Sequence, residues 1–170
     1  MERNLARAMA ALTTGIYVLT VREGEHCHGM SSSWAAQASG RPVLISAAVD
    51  KRHASHGAIE RTGAFGLNVA GRRGRALEDY FYSARARRPD NLDSVDYELS
   101  PALGVPWLKL AMAAIEARVV ASHAAGDHTI FVAAPIGVRI GADDRPLTSL
   151  DLEYVYLGGG KLFRRAKRGG

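Results

Sequence analysis

Two strand-like runs separated by a short connector constrain the fold of this chain more than any other feature. Residues 113–123 and 129–140 are long and largely apolar, with several β-branched positions, and only residues 124–128 lie between them. The connector contains Gly126, a residue typical of tight turns. Strands joined by so short a connector pair antiparallel, because parallel neighbours need a crossover of a dozen or more residues. The pattern predicts a long β-hairpin in the second half of the chain.

The rest of the sequence adds more strands. Runs rich in β-branched and aromatic residues predict strands over residues 16–21, 26–33, 43–49 and 64–69, and a final hairpin from residues 154–157 and 161–165. Strands and helices do not alternate regularly, which argues against a doubly wound α/β fold. We expect one domain over residues 1–170, mainly β with added helices, built as a closed antiparallel barrel.

Helical spacing of apolar residues is limited to short segments. Helices are predicted over residues 3–13, 55–62 and 75–83, the second capped by Ser55 and ended by Gly63. Residues 84–106 contain three prolines and many polar side chains, so we expect an irregular segment there.

Charge and composition exclude several classes of protein. The net charge is +5, but the arginine groups are dispersed, interrupted by acids and unaccompanied by an RNA-binding aromatic motif, so we do not expect nucleic-acid binding. No apolar run approaches ~18 residues and the N-terminus lacks a secretory pattern, so we expect no membrane segment. Cys27 is the only cysteine, which excludes an intrachain disulfide and favours a reducing, cytoplasmic compartment.

Common catalytic and metal-binding motifs are missing. The sequence has no dinucleotide glycine fingerprint, Walker loop, Gly-x-Ser-x-Gly elbow or Cys-x-x-Cys pair. His26 and His28 lie on one face of a predicted strand, as two metal ligands would. Because no nearby carboxylate or second histidine pair completes the ligand set, we interpret them as a solvent-facing pair beside a buried Cys27.

A run of small polar residues at a strand end is the main candidate binding segment. It starts at Gly29 and continues through Met30, Ser31, Ser32, Ser33 and Trp34. Such residues let backbone N–H groups approach a flat polar ligand, although a polar strand end without a ligand is the alternative. One strand later, the basic turn offers Lys51, Arg52, the Ser55 hydroxyl and helix-start N–H groups to a phosphate. Together the two segments indicate a site for a phosphorylated ring cofactor.

A second candidate segment is the turn of the long hairpin. Asp127 can simply bond its own backbone there. His128, next in sequence, can instead position a substrate or donate a proton beside a reacting ring.

Taken in order, these segments make the chain similar to a known family. From about residue 11 to 165 it resembles the flavin reductase-like family of FMN-binding split barrels. The matching segments are residues 14–20, 29–34, 49–56, 65–69, 126–129 and 154–165. Ser33-Trp34 and Gln37-Ala38-Ser39 are most similar to flavoredoxins and to the flavin modules of rubredoxin-like and flavodiiron proteins.

The resemblance implies an antiparallel Greek-key split barrel and a homodimer with FMN near the subunit interface. It implies that the segment from Met30 to Trp34 lines the flavin ring and ribityl chain, and that the turn from Lys51 to Ser55 takes the phosphate. It also implies that the strand carrying Asn68 lies against the flavin, and that His128 faces the pyridine-nucleotide side. The sequence departs from the family where Ala54 replaces a frequent arginine.

The implied function is an NAD(P)H:FMN oxidoreductase that passes electrons to an acceptor, a redox partner protein or a monooxygenase. Two alternatives stay open at this point. One is a flavin-binding electron carrier without catalysis, and the other is a binding module that uses the basic surface without flavin.

Overall fold

The computed structural model describes residues 3–83 and 91–157, and the backbone of residues 162–164. It is built mainly from antiparallel strands, as predicted. The helices are α1 Arg3–Ala10, α2 Ala54–Thr62 and α3 Arg75–Phe81. The strands are β1 Tyr17–Glu23, β2 His26–Ser32, β3 Ala35–Gly40, β4 Val43–Asp50, β5 Ala64–Ala70, β6 Tyr97–Leu99, β7 Pro106–Leu108, β8 Ala111–Ala125, β9 His128–Ile140, β10 Tyr154–Tyr156 and β11 Leu162–Arg164.

One large sheet forms the barrel. Its strand order is β2-β1-β5-β8-β9-β4-β3, and each neighbouring pair is antiparallel. The predicted long hairpin is confirmed, since β8 and β9 pair from Ala113 opposite Ile140 to Ala125 opposite His128. The two edge strands, β2 and β3, follow each other in the chain, and the described part of the structure has no ladder between them. The barrel is therefore split where residues 33–34 connect these edges.

Helix α2 packs one face against the core of the barrel. Its Ala58 and Ile59 pack against the buried side chains of Leu19, Phe65 and Phe131. These side chains are 6% exposed or less, and burying one large apolar side chain contributes about 1.5–3 kcal/mol. The alternation of buried residues along β4 has the same origin, because every second side chain of a strand points inward.

The two ends of α2 show what the sequence predicted and what it missed. Gly63 ends the helix with φ 64°, as predicted, because glycine adopts this left-handed conformation without a steric penalty. The prediction of Ser55 as the N-cap is wrong. His53 is the N-cap, and its Nδ1 accepts a hydrogen bond from the Ser55 N–H at 3.2 Å. Ser55 lies instead in the first turn of the helix.

Several shorter elements differ from the predictions. Helix α1 ends at Ala10, before the predicted residue 13. Strand β3 was missed because it is an edge strand whose residues are mostly exposed and polar or small. The segment predicted to be irregular contains β6 and ends at the first residue of β7, with which β6 pairs, and its residues 84–90 lie outside the described part. The final hairpin is confirmed by the β10–β11 pairing, although its glycine turn also lies outside the described residues. Among the described helices, none is long and apolar enough to cross a membrane.

Candidate functional site

A cavity of about 700 Å³ opens at the end of the barrel beside the split. This volume is within the range of sites for cofactors and other small molecules. Its wall contains most of the sequence-predicted site residues: Met30, Ser31, Ser32, Ser33, Trp34, Arg52 and His128. Segments far apart in the sequence therefore meet at one place, as the order of the motifs predicted.

Three predicted residues do not line the cavity. Asn68 is fully buried inside the barrel wall, where its Nδ2 donates to Thr20 Oγ1 at 3.1 Å and its Oδ1 accepts from the Leu108 N–H at 2.8 Å. The Lys51 ammonium donates to the Gly126 carbonyl at 2.7 Å. Ser55 is fully buried behind Ala54, which itself lines the cavity. The position of Asn68 follows from strand alternation, which turns its side chain away from the cavity and toward β7.

The edge of β2 is held by a side chain that imitates a neighbouring strand. Asn91 Oδ1 accepts from the Gly29 N–H at 2.8 Å, and Asn91 Nδ2 donates to the Gly29 carbonyl at 2.7 Å. Tyr80 fixes this residue in turn, because its hydroxyl donates to the Asn91 carbonyl at 2.6 Å. Phe81 packs so closely on Gly29 that an added Cβ would lie 2.6 Å from its ring. Gly29 and Asn91 thus set the position of the serine segment.

No sequence pattern singled out Asn91, since it lies in the segment predicted to be irregular. An edge strand exposes backbone N–H and C=O groups that need partners. Only the tertiary structure reveals which side chain supplies them here.

Aromatic rings converge at the hairpin turn. The Trp34 ring lies 4.8 Å from the His128 ring and 5.6 Å from the Tyr156 ring, measured between centroids. His128 Nδ1 lies 2.7 Å from Asp127 Oδ1, and this bond lowers the pKa of Asp127. With Asp127 ionised, Nδ1–H is the donor, so Nε2 is the ring nitrogen left for a ligand. The turn therefore fixes the orientation of His128 within the cavity wall.

The basic turn carries its own counter-ion. Arg52 Nη2 lies 2.8 Å from Asp50 Oδ2, and its Nε lies 3.2 Å from Asp50 Oδ1. The Arg52 backbone N–H also donates to Oδ1 at 2.9 Å. These contacts hold the pKa of Asp50 well below its usual range. An anionic ligand that reaches Arg52 thus competes with a carboxylate for its guanidinium group.

Two histidines that the sequence did not assign to this cavity also line it. The His28 and His53 rings lie 5.4 Å apart. Burial, and then the neighbouring His28, lowers the pKa of His53 to about 4. His26 is exposed and Cys27 is buried, as expected, but His28 faces the cavity instead of solvent. The described residues contain no cluster of three metal-ligating side chains.

A buried acid occupies another part of the wall. Glu78 of α3 is 2% exposed, and its Oε1 accepts a hydrogen bond from the Tyr154 hydroxyl of β10. Burial raises the pKa of Glu78 and that of Tyr154. The Tyr82 ring packs on Tyr154 with centroids 4.9 Å apart. All three side chains line the cavity, and sequence patterns did not single out any of them.

The low pKa of His53 predicts a specific acid sensitivity. In the unfolded chain His53 becomes protonated below about pH 6.5, whereas in the folded chain it does so only near pH 4. The free energy of unfolding therefore falls as pH decreases through this window. The expected loss of unfolding free energy between pH 7.5 and pH 5 is roughly 2 kcal/mol. His53→Asn, which keeps a capping acceptor, should lack this loss in urea unfolding. The exposed-site control His26→Asn should retain it, and equal losses in both variants would contradict the assignment.

Comparison with known proteins identifies the family of this chain. The model of the flavin reductase like domain matches residues 9–158. The chain is 28% identical over 158 residues to the ferric-chelate reductase (NAD(P)H) of Archaeoglobus fulgidus, with 89% of this chain and 90% of the relative covered. It is 32% identical over 131 residues to the FMN reductase (NADH) SmoA of Agrobacterium fabrum, with 77% and 72% covered.

A solved structure shares the fold. The homologue of nitrilotriacetate monooxygenase component B from Mycobacterium thermoresistibile superposes with a TM-score of 0.77 at 26% identity, covering 86% of this chain and 80% of that one. Since the family model spans most of the sequence and the relatives align over most of their own lengths, this chain belongs to the flavin reductase-like family.

Proposed function

We propose that this protein is an FMN-binding flavin reductase that takes a hydride from NAD(P)H and passes electrons to an acceptor. The observation that carries the proposal is the meeting of the Gly29–Trp34 segment, Arg52 and His128 in one cavity. These are the segments that the sequence singled out for the ring, the phosphate and the substrate. Family membership supports the same reaction type.

The residues present fit a flavin mononucleotide. In this proposal the segment from Met30 to Trp34 lies along the ring and ribityl chain, and the first turn of α2 meets the phosphate. Ala54 supports this placement, because it lines the cavity at the first position of α2, where the helix N–H groups have no partner within the helix. Ser55 Oγ lies buried behind it, without a hydrogen-bond partner among the described residues.

Each side chain then has a defined task. The bound flavin supplies the redox chemistry. Trp34 packs beside the ring site and excludes water, and Arg52 attracts the anionic group despite the competition from Asp50. His128, oriented by Asp127, offers Nε2 to the reductant or exchanges a proton there.

A visible spectrum provides the first experiment. The purified protein should bind FMN at micromolar concentration with quenched flavin fluorescence, and NADH should bleach the flavin absorption near 450 nm by roughly the full amplitude expected for two-electron reduction. Colourless protein with no fluorescence change would contradict the proposal. Steady NADH oxidation with free FMN would argue against the alternative of a carrier without catalysis.

The phosphate end is tested by two variants that remove the same charge. Arg52→Ala should weaken FMN binding roughly tenfold while riboflavin, which lacks the phosphate, changes less than about twofold. Lys51→Ala should have a smaller effect on FMN, because Lys51 does not line the cavity and its ammonium is bonded to Gly126. Fluorescence titration measures all four dissociation constants. Equal losses of affinity for FMN and for riboflavin would show that Arg52 acts only as surface charge.

The role of His128 is tested by comparing turnover with flavin affinity. His128→Ala should lower kcat/KM for NADH by about 10²-fold, within the range for loss of a positioned proton donor. The dissociation constant for FMN should stay within a factor of about three, because the ring-facing serines are unchanged. An unchanged NADH rate would return His128 to the role of a turn residue.

The strand mimicry of Asn91 predicts an effect on flavin binding at a distance. Asn91→Ala removes both bonds to Gly29, so the serine segment loses its fixed position and FMN affinity should fall roughly tenfold. Glu116→Gln is a control with a comparable structural role, because this buried carboxylate holds the backbone of Ala102 and Leu103 away from the cavity. Both variants should lose stability, but only the first should lose affinity. Equal affinities would show that Asn91 is purely structural.

The proposed assembly is a homodimer in the cytoplasm that serves a redox partner or monooxygenase. An exposed apolar row on β9, formed by Ile136, Val138 and Ile140, supports self-association, because such rows are usually covered by another surface. The monooxygenase component named for the solved relative supports a partner of that class. Sedimentation velocity of the purified protein measures the oligomeric state directly.

A further inference from the structure

The buried carboxyl of Glu78 has no task in the proposed flavin site. It projects from α3 into the cavity wall at 2% exposure. One carboxyl oxygen, Oε1, accepts the Tyr154 hydroxyl, and the other, Oε2, has no hydrogen-bond partner among the described residues. An acceptor oxygen in a cavity wall without a partner is a place for a ligand donor.

No cation of the described residues forms an ion pair with this group. Its hydrogen bond to the Tyr154 hydroxyl is the contact that the described residues give it. Arg75, one turn earlier on α3, acts on Glu78 only through its charge, which tends to lower the pKa of Glu78, and its guanidinium donates to the Asp151 carbonyl at 3.4 Å. The other titratable groups that face Glu78 are Tyr154, Tyr82 and the acidic Asp79, none of which supplies positive charge. The cavity therefore presents an acceptor of negative character at this point.

The geometry also separates Glu78 from the basic turn. Strand β10 carries Tyr154 and Tyr156 two positions apart, on the same face. Tyr154 contacts Glu78 and Tyr82, whereas Tyr156 contacts Trp34, which in turn packs on His128. The two tyrosines of β10 thus lie in two different parts of the cavity. The part at Tyr154 is acidic and phenolic, and the part at Tyr156 is aromatic and lies beside the basic turn.

We propose that Glu78, held by Tyr154, is the specificity-determining acceptor for the carboxamide of a flat second substrate and excludes the corresponding carboxylate. This inference rests on the proposed function, and it assigns the pyridine carboxamide of the reductant to Glu78. The amide N–H donates to Oε2, beside the Tyr82 ring that lines the same part of the cavity. A carboxylate ligand offers no donor and meets the negative charge of Glu78.

The test compares nicotinamide with nicotinate, which have nearly the same shape and differ in charge. FMN-loaded protein is titrated with each at pH 8.5, and binding is followed by the perturbation of the flavin absorption spectrum. The wild-type protein should bind nicotinamide at least ten times more tightly than nicotinate. A ratio below three in the wild-type protein would overturn the proposal without the need for any variant.

Glu78→Gln keeps the size of the side chain and replaces the acceptor charge with an amide. Nicotinate should then bind about tenfold more tightly and nicotinamide somewhat less tightly, so that the ratio falls below about three. Asp79→Asn is the matched control, because it removes one negative charge from the adjacent, exposed position of α3. Its ratio should equal that of the wild-type protein within a factor of about two.

The outcomes separate this inference from the proposed function. If the FMN dissociation constant of Glu78→Gln rises as much as that of nicotinamide, Glu78 belongs to the flavin site and the inference fails. An equal change in the ratio of the two affinities in Asp79→Asn would show that the effect comes from general surface charge. That result would also overturn the inference. If the wild-type protein takes up no FMN, the proposed function fails. In that case calorimetry of nicotinamide and nicotinate binding to the flavin-free protein tests the inference by itself. The criterion is the same ratio of the two dissociation constants.

Discussion

The register of the β8–β9 hairpin is the constraint on which the site depends. Strand β9 pairs with β8 on one side and with β4 on the other, so its first residue, His128, lies opposite Asp50 at the end of β4. A slip of one residue would exchange the inward and outward faces of the strand. It would also separate the hairpin turn from the basic turn that follows β4. The cavity therefore exists because backbone hydrogen bonds fix two distant turns at the same height of the barrel.

Within that frame, the polar groups of the cavity are already paired by the protein. Asp50 holds Arg52, Asp127 orients His128, and Tyr154 bonds to Glu78. Such pairing lowers the cost of burying charge. It leaves His128 Nε2 and Glu78 Oε2 for a ligand, whereas a ligand contact to Arg52 must compete with Asp50. His53 shows the alternative solution, in which burial keeps the imidazole neutral at physiological pH.

Patterns local in sequence predicted the elements that local chemistry controls. The hairpin, the buried strand β4 and the Gly63 end of α2 follow from periodicity and from the conformational freedom of glycine. The same reasoning missed β3, whose exposed edge lacks an apolar face. It also assigned the N-cap of α2 to Ser55, because a histidine acceptor is not among the preferred capping residues. These errors occur where packing or an uncommon hydrogen bond outweighs intrinsic preference.

For this protein, the sequence alone determined the order of the segments that could bind a ring, a phosphate and a substrate, and with it the family and the barrel class. The reason is that glycine turns, strand periodicity and clusters of small polar residues can be recognised in the sequence without knowledge of any long-range contact. Only the tertiary structure decided which side chains share the cavity. It turned Asn68 into the barrel wall, brought Asn91 to the edge of β2, and joined Glu78 to Tyr154 across a sequence separation of 76 residues. Contacts of that range depend on sheet register and packing, which no local pattern encodes.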